Sequence, residues 1–141
     1  MSITEVSVTT ITLAAAQRMI DAGIAAAPSS GVAYNLAVVD AGAHLVASVR
    51  MDGAALAAVE TSQVKARTAV LFGQATADLV PAVQPGAPLF AAGSATRDPL
   101  AFIPGGVPVR DQNGLVVGAI GAGGGTPDQD HEIATAALAA F

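Results

Sequence analysis

The chain has 141 residues, 52% of them apolar and 12% charged, and a formal net charge of −5 from six basic and eleven acidic side chains. That length suits one domain, residues 1–141, and the apolar content excludes a disordered chain. No basic run is present, which excludes the phosphate-neutralising patch of a nucleic-acid binder. The apolar segment 13–27 holds Gln17, Arg18 and Asp21 and is too short to span a bilayer. No cationic region precedes an apolar run at the start, so neither a secretory signal nor a membrane partner is expected. Cysteine is absent. This removes disulfides, thiolate nucleophiles, iron–sulfur ligation and Cys-rich zinc sites, and it accords with a cytoplasmic protein. Small residues dominate and tryptophan is missing. Low charge beside so many small apolar side chains predicts a surface covered by a second copy, a homo-oligomer.

Residues 1–11 read equally as an edge strand or a loose arm. Thr12 is a good N-cap for a first helix whose apolar stripe is Leu13, Ala16, Ile20, Ile24 and Ala27. Pro28-Ser29-Ser30-Gly31 stops it. Two strands follow, Tyr34 to Val39 and His44 to Val49, joined by the hairpin signal Asp40-Ala41-Gly42-Ala43. The first is almost continuously apolar, as a strand buried on both faces would be. A long helix is predicted from Ala54 to Phe72, ended by Gly73, with another helical turn or two from Thr76 until Pro81 breaks it. Residues 84–101 form a Pro/Gly-marked loop with room for a short helix around Leu89-Phe90-Ala91. A second hairpin turns at Asp111-Gln112-Asn113-Gly114, where Asn-Gly favours the required backbone. The last helix starts with Thr126 as N-cap, Pro127 at its first position and Gln129 completing a capping box. Hairpins rather than βαβ units predict an α+β fold, a mostly antiparallel sheet of about five strands packed with helices.

The segments Ala37 to Val46, Arg50-Met51-Asp52-Gly53-Ala54, Lys65-Ala66-Arg67-Thr68-Ala69, Gln84 to Leu89, Pro104 to Val109, Gly118-Ala119-Ile120-Gly121 and Gly124 to Asp130 resemble, in order and spacing, the haem-degrading domain family. That family is also called GlcG/HbpS-like and was formerly a domain of unknown function. The resemblance runs from about residue 12 to the end. It implies a profilin-like α/β sandwich that forms dimers or larger homo-oligomers. Some members bind haem or take part in its breakdown, and others are fused to, or encoded near, enzymes handling small oxidised acids or corrinoids. The chain departs from the pattern at Ala91 to Leu100, where Arg97 brings charge to a stretch that can line a ligand pocket.

The glycine corners around Gly105, Gly106 and Gly123 to Gly125 can form a wall against which a planar ligand lies. The second run is not a phosphate cradle, because no lysine follows it and Asp128 and Asp130 occupy the anion-attracting helix start. Of two histidines, His44 opens the second strand, and His131 sits where the helix dipole disfavours an imidazolium. Two histidines so far apart are not a zinc signature, and the metal, if any, is unspecified. Lys65, the only lysine, falls roughly opposite the stripe Leu56, Val59 and Val70, with no acid three or four residues away. It can reach a carboxylate elsewhere or a ligand's propionate. Glu60 and Arg67 lie beside the stripe, placed to pair with each other or meet a partner. Asp52 is a candidate cap of the long helix, and Arg50 can hold an acid group through two bonds. Asp130 stabilises its helix or acts as a general base.

Two functional readings follow, together with a purely structural or sensory oligomer. In the first, a small-molecule-binding protein takes haem or a related tetrapyrrole and assists its degradation. His44 and Met51 contact the iron or ring, Gly105 and Gly106 form the wall, and Arg50 or Lys65 meets the propionates. In the second, a cofactor-independent isomerase, tautomerase or lyase moves a proton on a small oxygenated acid, with Lys65, Asp130 and Arg50 as its catalytic groups.

Overall fold

The computed structural model describes Ser2 and residues 4–141. In chain order the elements are α1 (Leu13–Ala26), β1 (Asn35–Asp40), β2 (Leu45–Arg50), α2 (Ala57–Phe72), α3 (Thr76–Leu79), β3 (Gly106–Arg110), β4 (Val116–Gly123) and α4 (Pro127–Leu138). The strands form one antiparallel sheet in the order β2-β1-β4-β3. The α+β class is as expected, but the sheet has four strands rather than about five. The reading of residues 1–11 as strand or arm extends over Met1 and Ile3, which lie outside the described residues. The remainder of that segment carries no strand and is exposed as far as Thr10. Among the described residues its one backbone–backbone bond to the sheet runs from Ile11 N–H to the Val117 carbonyl at 2.9 Å, next to Thr10 Oγ1, which accepts the Ala41 N–H at 2.9 Å, and one such bond is not enough for a ladder.

The two faces of the sheet are packed differently. On one, Leu36 and Val38 of β1 and Ile120 and Ala122 of β4 meet Ala16, Met19 and Ile20 of α1 and Ile133, Ala134 and Ala137 of α4. This is ordinary aliphatic packing. On the other face lies α2, and it is turned against its own apolar stripe. Its buried residues are Ala58, Ser62, Lys65, Ala66, Thr68 and Ala69, while Leu56 is 78% exposed and Val59 and Val70 are half-buried.

Glycines explain this orientation. A Cβ on Gly121 would run into the Ser62 carbonyl oxygen, and one on Gly106 into the Lys65 carbonyl oxygen. One on Gly123 would sit 2.8 Å from Thr61 Oγ1 and 3.2 Å from Ala58 Cα. The helix backbone therefore rests almost directly on the sheet, and only small or slender side chains fit beneath it. Polar groups buried there are paired, as burial demands. Asn35 Nδ2 donates to Ser62 Oγ at 2.7 Å and to Ser48 Oγ at 3.0 Å, and Thr68 Oγ1 donates to the Val64 carbonyl at 2.8 Å.

Helix α2 begins at Ala57 with no side-chain cap, so Asp52 does not cap it. The Thr126–Gln129 capping box of α4 is present in both directions. Residues 84–101 hold a single 3₁₀ turn at Ala92–Ser94, just past the expected helical site. Arg67 ties this loop down, donating to the Pro99 carbonyl at 3.0 Å and lying 3.8 Å from Asp98 rather than pairing with Glu60.

Candidate functional site

Lys65 and Asp130 meet. Lys65 Nζ donates to Asp130 Oδ2 at 2.7 Å and to the Ala122 carbonyl at 3.1 Å, and Gly125 N–H donates to Asp130 Oδ1 at 2.8 Å. Both side chains are only 3% exposed. The pair joins α2 on one face of the sheet to the first turn of α4 on the other, at the end of β4. Glycines open the passage for the lysine. A Cβ on Gly105 would lie 2.8 Å from Lys65 Cδ, Lys65 Nζ and the Ala122 oxygen, and Gly105 has φ +134°, which other residues resist. The lysine side chain therefore occupies the space against the Gly105 part of the expected glycine wall. Burial pushes the Asp130 carboxyl above its ordinary value, opposed by the Lys65 hydrogen bond, the Gly125 N–H and the Lys65 charge.

His44 presents a different kind of site. Its side chain is 81% exposed at the tip of the β1–β2 hairpin, with Nδ1 3.4 Å from Asp40 Oδ1. That oxygen is fixed by Gly42 N–H and His44 N–H, each at 2.9 Å. Ala43, directly before the histidine, holds φ +66°, a conformation costly for a side chain with a Cβ. A Cβ on Gly42 would stand 3.0 Å from the imidazole ring. The turn thus orients one imidazole outward with Nδ1 toward a carboxylate and leaves Nε2 facing solvent, the arrangement metal-binding histidines use. Asp40 was legible in the sequence only as a turn residue, although Asp-x-Gly-x-His at this spacing is the signal for this contact.

The remaining expected residues lie apart from both. His44 and Met51 stand at opposite ends of β2, about 20 Å apart at the strand rise of roughly 3.3 Å per residue. Met51 is half-buried, and its Sδ accepts the Tyr34 N–H at 3.4 Å. Arg50 is exposed beside it and makes no ion pair among the described residues. Gly105 and Gly106 are buried beneath Lys65 and α2. His131 turns inward, its Nδ1 buried without a hydrogen-bond partner among the described residues. No group of three or more His, Cys, Asp or Glu converges among the described residues, and no helix there is long and apolar enough to cross a membrane.

Two recesses open elsewhere. One of about 360 Å³ lies between α3, β3 and the end of α4, lined by Gln74, Asp78, Val107, Arg110 and Leu138 among others. The other, about 400 Å³, runs between α1 and β2, past Gln17, Ile20, Asp21, Ala47, Ser48 and Val49. Neither is lined by Lys65 or Asp130.

Residues 11–139 match the family model described as haem-degrading protein HbpS-like. The crystal structure of Klebsiella pneumoniae protein ORFY superposes with a TM-score of 0.94 at 37% identity, covering 100% of this chain and 97% of that one. An uncharacterised 15.0 kDa protein from the dhaT–dhaS intergenic region of Citrobacter freundii is 40% identical over 95% of this chain and 94% of its own length. The structure of a PduOC:heme complex superposes with a TM-score of 0.87 at 30% identity, covering 94% of this chain and 96% of that one.

Proposed function

Because the chain belongs to the HbpS-like haem-degrading family, we propose that it binds haem or a related tetrapyrrole at the surface carrying His44 and takes part in haem breakdown. The observation that carries this reading is the likeness, across nearly the whole chain, to a fold solved with haem bound. The His44 turn supports it. An outward imidazole with Nδ1 backed by a fixed carboxylate is a suitable donor to a haem iron, and Arg50, which makes no ion pair among the described residues, offers a guanidinium to a propionate. Met51, half-buried, and Gly105 and Gly106, beneath Lys65 and α2, lie away from the His44 turn. The bound haem would supply the redox-active iron, while the chain's own residues hold the ring and orient the imidazole. A profilin-like sandwich, self-association and a cytoplasmic setting belong to the same reading, and nucleic acid and membrane do not.

Titrating haem and following the Soret band tests it. The wild type is expected to shift the band with micromolar affinity, about −8 kcal/mol, and His44→Ala to weaken binding and change the spectrum without altering the fold. An unchanged spectrum at tens of micromolar ends the proposal. Breakdown is read as loss of the Soret band with ascorbate and dioxygen beyond that of free haem.

A second reading is favoured by the 2.7 Å Lys65–Asp130 contact and the raised Asp130 carboxyl: proton transfer on a small oxygenated acid, with Arg50 holding the carboxylate. It requires the sealed pair to open. Deuterium exchange at the methyl group of pyruvate, followed by NMR, is expected to fall in both Lys65→Ala and Asp130→Asn. Exchange that survives both changes, or never exceeds that of protein-free buffer, removes this reading.

A further inference from the structure

The face of β2 that looks toward α2 is left uncovered. Arg50 pairs across the sheet with Asn35, and Asn35 with Gly123, the glycine that lies under Ala58 in the first turn of α2. The helix therefore packs on β4, β1 and β3, and the next strand outward, β2, stays open beside it. Ser48 reaches Asn35 on this face, and Arg50, two residues on, shares it. Both are exposed.

A short relay fixes the Ser48 hydroxyl. Ser62 Oγ donates its one hydrogen to the Val59 carbonyl at 3.3 Å, so toward Asn35 it can only accept. This sets the amide nitrogen of Asn35, not its oxygen, between the two serines. The same nitrogen donates to Ser48 Oγ at 3.0 Å. Ser48 Oγ is thus an acceptor on its inner side, and it donates no hydrogen bond among the described residues. Its hydrogen is turned to the open face. Asn35 and Ser62 are 1% and 0% exposed, so packing holds the relay in place. Arg50 makes no ion pair among the described residues, with neither Asp52 nor Glu60. An oriented hydroxyl donor and a free guanidinium thus stand about 7 Å apart along one strand, a gap the long arginine side chain can close.

We propose that Ser48 and Arg50 form a carboxylate-binding site on the open face of β2. One oxygen of the bound acid accepts from the Ser48 hydroxyl and the other from the Arg50 guanidinium, both charge-assisted bonds. Asn35 and Ser62 keep the hydroxyl hydrogen pointing at the acid. Both functional readings above give Arg50 a carboxylate, a haem propionate in one and a small oxygenated acid in the other. Ser48 is the second contact in either case, and the site needs neither iron nor turnover.

Sodium propionate titrated into the full chain without haem, at constant ionic strength, tests the site. NMR follows the Ser48 and Arg50 amides and the Arg50 Nε–H. Saturable shifts at these three resonances are expected, and none from propionamide, which has the same shape and no charge. Ser48→Ala is expected to weaken propionate binding about tenfold, and Ser48→Thr, which keeps a hydroxyl, to restore it. A wild type with no saturable shift overturns the proposal, whether or not Ser48→Ala folds. Equal binding by a folded Ser48→Ala overturns it too. Haem and its dimethyl ester then tell the two carboxylate sources apart. A Soret titration weakened by esterification, and by Ser48→Ala, assigns the site to a propionate. Equal titration by haem and its ester leaves the site to a small free acid. Propionate binding without any Soret shift sinks the haem reading and leaves the site standing. A Soret shift with no response to propionate does the reverse.

Discussion

The two faces of one sheet are held by different physics. Against α1 and α4 the contact is made by side chains with volume to spare, such as Met19, Ile20, Leu36 and Ile120. Against α2 it is made by backbone on backbone, with glycines below, alanines and serine above, and one buried ion pair at its end. The first kind yields locally when a methyl group is added or removed. The second has no slack, because the obstructing atoms are carbonyl oxygens that belong to a helix. Burial of apolar area drives the first, whereas the second depends on close approach and on each polar group having its partner.

The largest effect is expected where the α2 side is broken at its charge. Lys65→Met or Asp130→Ala leaves one buried charge unpaired and is expected to cost about 3–5 kcal/mol in urea denaturation. A loss under 1 kcal/mol would mean that water reaches the pair. Next come the glycines. Gly121→Ala drives a methyl group into the Ser62 carbonyl and is expected to cost about 3 kcal/mol. Gly23→Ala on α1 comes closest to Leu36 Cδ1, at 2.6 Å, with Ala137 Cβ and Leu36 Cδ2 at 3.4 and 3.5 Å, so it meets side-chain tips rather than backbone. The gain of about 1 kcal/mol in helix propensity offsets that contact, so its net effect is expected within about 1 kcal/mol of zero. Equal losses at the two sites would erase the distinction between the faces. Thr126→Ala removes the α4 cap and is expected to cost about 1 kcal/mol.

The smallest effect concerns pH. The Asp130 carboxyl binds its proton more tightly in the folded chain than in the unfolded one. Its titration therefore contributes stability that is fully present below the ordinary value of 3.8 and is lost as pH rises through the raised folded value. The stability difference between wild type and Asp130→Asn is expected to widen on acidification through that window and to level off below it. A difference that narrows instead would show that the Lys65 charge outweighs burial.

The elements were largely legible because their signals are local. The capping box at Thr126, the stop at Gly73, both hairpins and the doubly buried β1 all follow from residues a few positions apart. That the described part of the N-terminal segment adds no fifth strand was not legible, since its composition does not say whether it pairs with a neighbour. The Lys65–Asp130 contact spans 65 positions, so sequence could only note that Lys65 lacked a partner on its own helix. The His44–Asp40 contact is local and was within reach.

By itself the sequence determined a charge-poor, small-residue α+β chain, its family pattern, and a lysine that had to seek an acid beyond its own helix. Which face of α2 turns inward was decided only in three dimensions. A hydrophobic stripe predicts burial when side chains set the spacing, but here the glycines of β3 and β4 set it. At that spacing Ala58, Ser62 and a threaded lysine lie beneath the helix, while Val59 and Val70 stay half-buried at its flank and Leu56, just before it, is exposed.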